Sequence, residues 1–162
     1  MKKVILLLGG NLGDRETLLD RAREMINEQA GKILRSSSVY ESAPWGFTAE
    51  NNFYNQVVVV STGLTPHELL QTVQTIENRL GRVREGKNYA SRTMDIDILF
   101  YGQEIIDTPE LVIPHPQLHK RKFALEPLNE ILPGWIHPRY DQSIGMLLRN
   151  CEDPSEVKIL GG

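Results

Sequence analysis

Ser91-Arg92-Thr93-Met94-Asp95-Ile96-Asp97-Ile98-Leu99-Phe100 alternates apolar and acidic side chains from Met94 onward, the period of a strand with one buried face. Met94, Ile96, Ile98 and Phe100 are expected on the core side. Asp95 and Asp97 then point the same way, with α-carbons on the order of 6.6 Å apart at strand rise. Immediately upstream, residues 79–92 set five cations (Arg79, Arg82, Arg84, Lys87 and Arg92) against a single acid, Glu85. Two aligned carboxylates beside such a loop suit a Mg²⁺-bound polyphosphate. Hard oxygen ligands hold the metal, which keeps its waters and bridges to phosphate, and guanidinium groups take the remaining oxygens. The plainer alternative is a solvated strand face with acids opposite stray arginines, and it leaves the cationic loop unexplained.

Read as the strand Thr93 to Tyr101, this stretch is the last element of a repeating order. Before it, Thr65-Pro66-His67-Glu68 is a capping box with proline at the first helical position. The helix runs through Leu69, Leu70, Val73, Ile76 and Leu80 to Gly81. Phe53 to Ser61, rich in valine, reads as a strand, and so does Ile33 to Tyr40, with a loop from Glu41 through Asn52 between them. At the start, Val4 to Leu8 is an apolar run of strand length ended by Gly9-Gly10-Asn11-Leu12-Gly13. Asp14 can cap the next helix, whose Leu18, Leu19, Ala22, Met25 and Ile26 share a face and which Gly31 ends. The order β-α-β-β-α-β predicts an α+β protein with a ferredoxin-like antiparallel sheet, helices packed on it and a C-terminal extension. In that extension, Ile105, Ile106 and Leu111 to Ile113 suit a short hairpin. Arg121 to Leu132 reads as helical despite Pro127, and Asp141 or Ser143 can cap a last helix through Asn150. Residues from about 151 onward read as a loosely held tail on a single domain spanning 1–162.

A chain of 162 residues with 40% apolar and 24% charged residues has the make-up of an ordinary globular domain. Its net charge of −3 argues against broad nucleic-acid binding. The cations instead concentrate in the loop before Asp95 and near His119-Lys120-Arg121-Lys122, which fits a small polyanion better than a long one. Cys151 stands alone, so no internal disulfide forms and a reducing compartment is expected. Met1-Lys2-Lys3 precedes only five strongly apolar residues, too few for a signal peptide core or a membrane span. A cytoplasmic protein with no membrane partner is expected.

Several smaller features bear on binding. The turn at Gly9 to Gly13 lies between strand and helix, yet it lacks the Lys-Ser/Thr pair of a P-loop and the spacing of a dinucleotide fingerprint. His115 and His119 have a spacing seen in zinc sites, but no third ligand is evident. A hydrogen bond from His115 to phosphate or ribose is the stronger functional reading. Trp45 and Phe47 sit in a loop, Phe53 and Tyr54 open a strand, and Asn55 places an amide inside an apolar run. That amide pairs either with nearby backbone or with the edge of a flat heterocycle, since an unpaired buried amide costs on the order of 1–3 kcal/mol.

Asn88-Tyr89-Ala90-Ser91-Arg92-Thr93-Met94-Asp95-Ile96-Asp97-Ile98-Leu99 closely resembles the signature of the hydroxymethyldihydropterin pyrophosphokinase family of folate biosynthesis. Gly9 to Asp14, Phe53-Tyr54-Asn55, Glu77, Arg82-Val83-Arg84 and Pro114-His115 follow that family's pattern in order, and the resemblance extends to about Leu128. Asn88 stands where the family commonly carries a cation, Pro116 where an aromatic is frequent, and Glu110 where a basic residue can occur. The resemblance implies a diphosphotransferase. ATP gives its β,γ-diphosphoryl group to the hydroxymethyl oxygen of 6-hydroxymethyl-7,8-dihydropterin and leaves AMP. It also implies that Asp95 and Asp97 hold two Mg²⁺ ions while Arg82 and Arg92 neutralise the transferring group. By the same resemblance Leu70, Gln74, Glu77, Arg84, Ile98, His115 and Arg121 surround the nucleotide. Ser42, Ala43, Pro44, Trp45 and Asn55 frame the pterin edge, with Phe53 and Phe123 on its two faces. The implied partners are ATP and a reduced pterin, taken up by a monomer.

Such transfer asks for in-line positioning and charge stabilisation more than for covalent help, so no side-chain base is nominated. The loop containing Gly86, almost free of apolar residues, is expected to close over the site and exclude water. Two rivals share parts of this pattern. A ferredoxin-like RNA-binding module would need a basic-aromatic strand motif that is missing here. A Mg²⁺-dependent nucleotidyltransferase would also use paired acids, and would release pyrophosphate where the pyrophosphokinase releases AMP.

Overall fold

The computed structural model describes residues 1–43, 52–81 and 94–160. Strand β1 (Lys2–Gly10) runs through the middle of the main sheet, and its continuous apolar run is explained by burial on both faces. It is followed by helix α1 (Arg15–Gln29), strands β2 (Lys32–Ser36), β3 (Tyr40–Ser42) and β4 (Phe53–Thr62), helix α2 (Pro66–Gly81) and strand β5 (Asp95–Tyr101). The C-terminal third adds β6 (Ile106–Asp107), β7 (Val112–Ile113), helix α3 (Lys122–Ile131), β8 (Ile136–His137), β9 (Gln142–Ser143), helix α4 (Ile144–Arg149) and β10 (Val157–Ile159). The main sheet has the order β10-β3-β4-β1-β5, with β2 also paired to β4, and every pairing is antiparallel. This is the expected α+β architecture of an antiparallel sheet carrying helices.

Local chemistry sets the helix starts. Asp14 accepts from Thr17 N at 3.2 Å, and Thr65 and Glu68 exchange reciprocal bonds of 3.2 and 2.9 Å, the predicted capping box. Ser143, rather than Asp141, caps α4 by accepting from Met146 N. The apolar stripes of α1 (Leu18, Leu19, Ala22, Ile26) and α2 (Leu69, Val73, Ile76, Leu80) pack on Val4, Leu6, Leu8, Val58 and Val60. Ile5, Leu7, Val57 and Val59 face the other way. They are covered by Ala124, Leu125, Leu128 and Ile131 of α3 and Ile144 and Leu147 of α4. The C-terminal extension is thus the second cover of the sheet.

Three expectations are corrected. The strand foreseen as Ile33 to Tyr40 is broken into β2 and β3. Between Ser36, opposite Val58, and Tyr40, opposite Asn55, it advances four residues against three on β4, which is a bulge. Ser37 holds that bulge, with its hydroxyl accepting from Val57 N at 3.0 Å and its own N–H donating to Val57 O at 2.8 Å. Another bulge lies in β5, where Ile98 pairs with Leu6 but Phe100 pairs with Ile5. The extra residue, Leu99, reverses the alternation. Phe100 joins the α3/α4 side of the sheet instead of the Met94, Ile96 and Ile98 side, and Tyr101 takes its expected place. The third correction concerns the residues past Cys151. They are tied in, because β10 pairs with β3 as the outermost strand and Leu160 N donates to Val39 O at 2.8 Å. Only Val157 and Ile159 alternate there, too short a pattern to mark a strand in the sequence.

Candidate active site

The register assembles the site. Gly9 of β1 stands opposite Asn55 on one side and Asp95 on the other, and Asn55 in turn faces Tyr40. One row away, Asp97 is opposite Leu7 and Leu7 opposite Val57. Cross-strand partners share a face, so both acids project on the α3/α4 side, as the alternation predicted. There the covering helices stop short and leave a cavity of about 510 Å³. Its floor is Leu7, Gly9 and Asn55, and Asp95 and Asp97 stand at one side. Ser42, Ala43 and Phe53 form a second wall; Gln117, Lys120, Arg121, Phe123 and Asp153 form the third.

Gly9 is explained by this floor rather than by a turn. A Cβ built on it would collide with Asn55 Nδ2, so the amide occupies the space a side chain would need. Asn55 itself is 5% exposed. Phe53 and Phe123 are half-buried on different walls, and the Arg121 guanidinium lies 5.7 Å from the Phe123 ring centroid.

The described residues expected around a nucleotide lie mostly outside the cavity, on α2 and on or against β5. Strand β5 ends the sheet order, and Glu77 reaches its free side from α2 to accept from Ile96 N at 2.7 Å. Leu70, half-buried, and Gln74, exposed, precede Glu77 by seven and three positions on the same helix. The Ile98 side chain is buried in the α1/α2 core, which leaves its main chain for any ligand. His115 is held against β5 by its N–H to Leu99 O at 3.0 Å, and its Nδ1 accepts from Gln117 N at 3.1 Å. Burial, with the Arg121 charge adding to it, pushes His115 down to about 4. It is therefore a neutral imidazole at pH 7, with the proton on Nε2 because Nδ1 accepts. Among the described nucleotide candidates Arg121 alone also lines the cavity. His119 packs edge-on against Tyr140 at 4.8 Å, a different setting from that of His115. Pro44, Trp45, Arg82, Arg84, Arg92 and the loop containing Gly86 lie outside the described residues.

The structure thus brings together Ser42, Ala43, Phe53, Asn55, Phe123, Arg121 and both acids, and sets Glu77, Ile98 and His115 on or against β5, with Leu70 and Gln74 on the helix that carries Glu77. Sequence reading missed Leu7, Gly9, Gln117, Lys120 and Asp153 as lining residues. Gly9 carried a signal, a glycine breaking an apolar strand run; Asp153, in a segment without clear periodicity, carried none. Among the described residues no group of three or more His, Cys, Asp or Glu could hold a metal. A pair of carboxylates is nevertheless the donor set suited to Mg²⁺, which takes one or two carboxylates plus substrate phosphates rather than a full protein cage.

A family model described as 7,8-dihydro-6-hydroxymethylpterin-pyrophosphokinase matches residues 5–133. The chain is 43% identical over 141 residues to the 2-amino-4-hydroxy-6-hydroxymethyldihydropteridine pyrophosphokinase of Porphyromonas gingivalis, covering 85% of this chain and 95% of that protein. To the enzyme of the same name from Aquifex aeolicus it is 44% identical over 140 residues, 86% of each. Among solved structures, Plasmodium falciparum HPPK-DHPS superposes with a TM-score of 0.72 at 19% identity, over 92% of this chain and 43% of that one. At that identity the superposition speaks for the fold.

Proposed function

The chain belongs to the 7,8-dihydro-6-hydroxymethylpterin pyrophosphokinase family, and from that premise we propose how its residues divide the work of the reaction. The reaction is the folate-pathway transfer of the β,γ-diphosphoryl group of ATP to the hydroxymethyl oxygen of the pterin. The hydroxymethyl oxygen bonds to the β-phosphorus, the bond from that phosphorus to the oxygen of the α-phosphate breaks, AMP leaves and the hydroxyl proton is lost. The pterin lies in the cavity, its ring between Phe53 and Phe123 and its edge on Asn55, with Ser42, Ala43, Pro44 and Trp45 beside it. One observation carries this reading: a single cavity is lined by two aromatic rings, Phe53 and Phe123, by the buried Asn55 amide and by both Asp95 and Asp97.

The triphosphate then lies across the two acids and along the β5 edge. Asp95 and Asp97 would hold two Mg²⁺ ions, and when bound these supply Lewis-acid polarisation of the phosphates. Arg121 on the cavity wall, with Arg82, Arg84 and Arg92, neutralises phosphate oxygens. His115 offers Nε2–H as a neutral donor, and its neutrality spares the carboxylates a competing cation. Leu70, Gln74, Glu77 and the main chain at Ile98 border the remainder of the nucleotide. All these groups come from one chain, so the scheme needs no second subunit and we take the enzyme to act as a monomer. No helix of the described residues is long and apolar enough to cross a membrane, and with Cys151 alone we place the enzyme in the cytoplasm. We also read the sheet as ferredoxin-like: with β2 and β3 as halves of one strand, the order becomes last, first, third, second. Incubation with ATP, Mg²⁺ and 6-hydroxymethyl-7,8-dihydropterin should yield AMP and the pterin diphosphate. Free pyrophosphate as the product, or no turnover, would overturn the reading.

A further inference from the structure

Helix α3 begins without a cap of its own. Arg121 at its N-cap is extended, with φ −117° and ψ 106°, and its side chain makes no capping bond. Pro127 inside the helix removes the N–H that would have bonded the Phe123 carbonyl. The first turn is closed from within at the Arg121 carbonyl, which accepts from Ala124 N and Leu125 N, and its first N–H groups need partners from elsewhere. Yet this turn carries Arg121 and Phe123, a cation and an aromatic wall of the cavity. The missing anchor comes from far along the chain. Lys122 N donates to Asp153 Oδ2 at 3.0 Å, while Asp153 Oδ1 accepts from Ser155 N at 2.9 Å. Two residues later, Val157 opens β10 by pairing with Ser42, on the facing wall. Residues 153–157 therefore bridge the Phe123 wall to the Ser42 wall, with Asp153 itself lining the cavity.

We propose that Asp153 is a positioning residue for the pterin: by capping α3 from the C-terminal segment, it sets the spacing between Phe123 and the β3 wall across which the ring must fit. The proposal rests on the reading of this cavity as the pterin site. Burial opposes ionisation of Asp153, but bonds from the Ser155 side chain and from the N–H groups of Lys122 and Ser155 outweigh it and hold the carboxyl below its ordinary range. At neutral pH the cap is thus an anion at a helix N-terminus, where it is favoured.

The bond can be removed from either end. Asp153→Ala deletes the acceptor. Lys122→Pro deletes only the donor, because proline suits the first helical position and the preceding Arg121 is already extended as a proline requires. Lys122→Ala keeps the N–H and serves as control. Calorimetric titration of pterin in the presence of a non-hydrolysable ATP analogue should show affinity about tenfold weaker for Asp153→Ala and Lys122→Pro, and unchanged for Lys122→Ala. Affinity for the ATP analogue and kcat at saturating pterin should stay within about twofold. Asp153→Asn, which keeps an oxygen for Lys122 N, should recover most of the loss. Equal pterin affinity in Lys122→Pro and Lys122→Ala would overturn the proposal, and so would losses spread evenly over both substrates and kcat. Should Asp153→Ala fail to fold, the two Lys122 variants decide alone. A parent protein that bound no pterin would instead refute the site reading.

Discussion

Asp95 and Asp97 differ from ordinary surface acids in where the register puts them, half-buried over Gly9 and Leu7 at the mouth of a cavity. Neither supports the core, so Asp95→Ala and Asp97→Ala should fold and lose activity. Removing a metal ligand forfeits charge stabilisation of several kcal/mol, at least about a hundredfold in rate. Near-normal turnover of either variant at moderate Mg²⁺ would sink the assignment. Gly9 yields a sharper test. Gly9→Ala drives a methyl into the Asn55 amide, which has to move. If Asn55 reads the pterin edge, pterin affinity should fall by about 1–3 kcal/mol while an ATP analogue binds as before. Asn55→Ala should show the same pattern. Calorimetry on both ligands checks it, and equal losses would make Asn55 structural.

At the scale of elements, what the sequence revealed and what it hid separate along physical lines. The capping box at Thr65 and the stripes of α1 and α2 were legible because their signals are local and periodic. The acid pair was legible because it sits ahead of the β5 bulge, where the alternation is intact. Phe100, just past Leu99, was assigned to the wrong face because a bulge is set by pairing with β1 and leaves no mark in composition. The break between β2 and β3 was hidden for a related reason, since its stabilising partner is on α3. Glu130 accepts from Ser38 N at 3.0 Å, from Ser38 Oγ at 2.9 Å and from the Tyr40 hydroxyl at 2.9 Å. Burial and the Glu130 bond together raise the Tyr40 phenol above its ordinary range, so it stays a donor. Glu130→Ala strips three bonds from the bulge and should lower stability by about 1–3 kcal/mol. It should also weaken pterin binding through Ser42, which Tyr40 precedes by two residues on β3. Urea unfolding beside pterin titration measures both. Unchanged stability would show that the bulge is held by its backbone pairing alone.

Across the whole molecule the sheet divides labour, with a closed core under α1 and α2 and a shared face where α3 and α4 leave room for the cavity. One buried histidine in that second cover, His137, and two half-buried ones, His115 and His119, tie the stability of the fold to pH. His137 lies 5.5 Å from Phe100 and stacks on Tyr140 at 4.5 Å, with its Nδ1 accepting from the N–H groups of Arg139 and Tyr140. Burial, then the neighbouring His119 and Arg139, push it down to about 4, and His115 beside Arg121 is likewise at about 4. His119, half-buried against Tyr140 beside Lys120, shifts the same way. A histidine near 6.5 when unfolded and near 4 when folded binds its proton first in the unfolded chain. Its neutral native form is therefore fully favoured above about pH 6.5, and that stability is lost as pH falls towards 4. Two carboxyls lowered in the fold, Asp14 and Asp153, act below this window, since their ordinary value is 3.8. The urea midpoint should accordingly drop between pH 7 and pH 5. His137→Asn, which trades the titrating ring for an amide that cannot charge, should make that drop smaller even if it lowers stability at pH 7. A parent midpoint equal at the two pH values would mean that these rings reach water in the native state. A drop undiminished in His137→Asn would move its origin to His115 and His119.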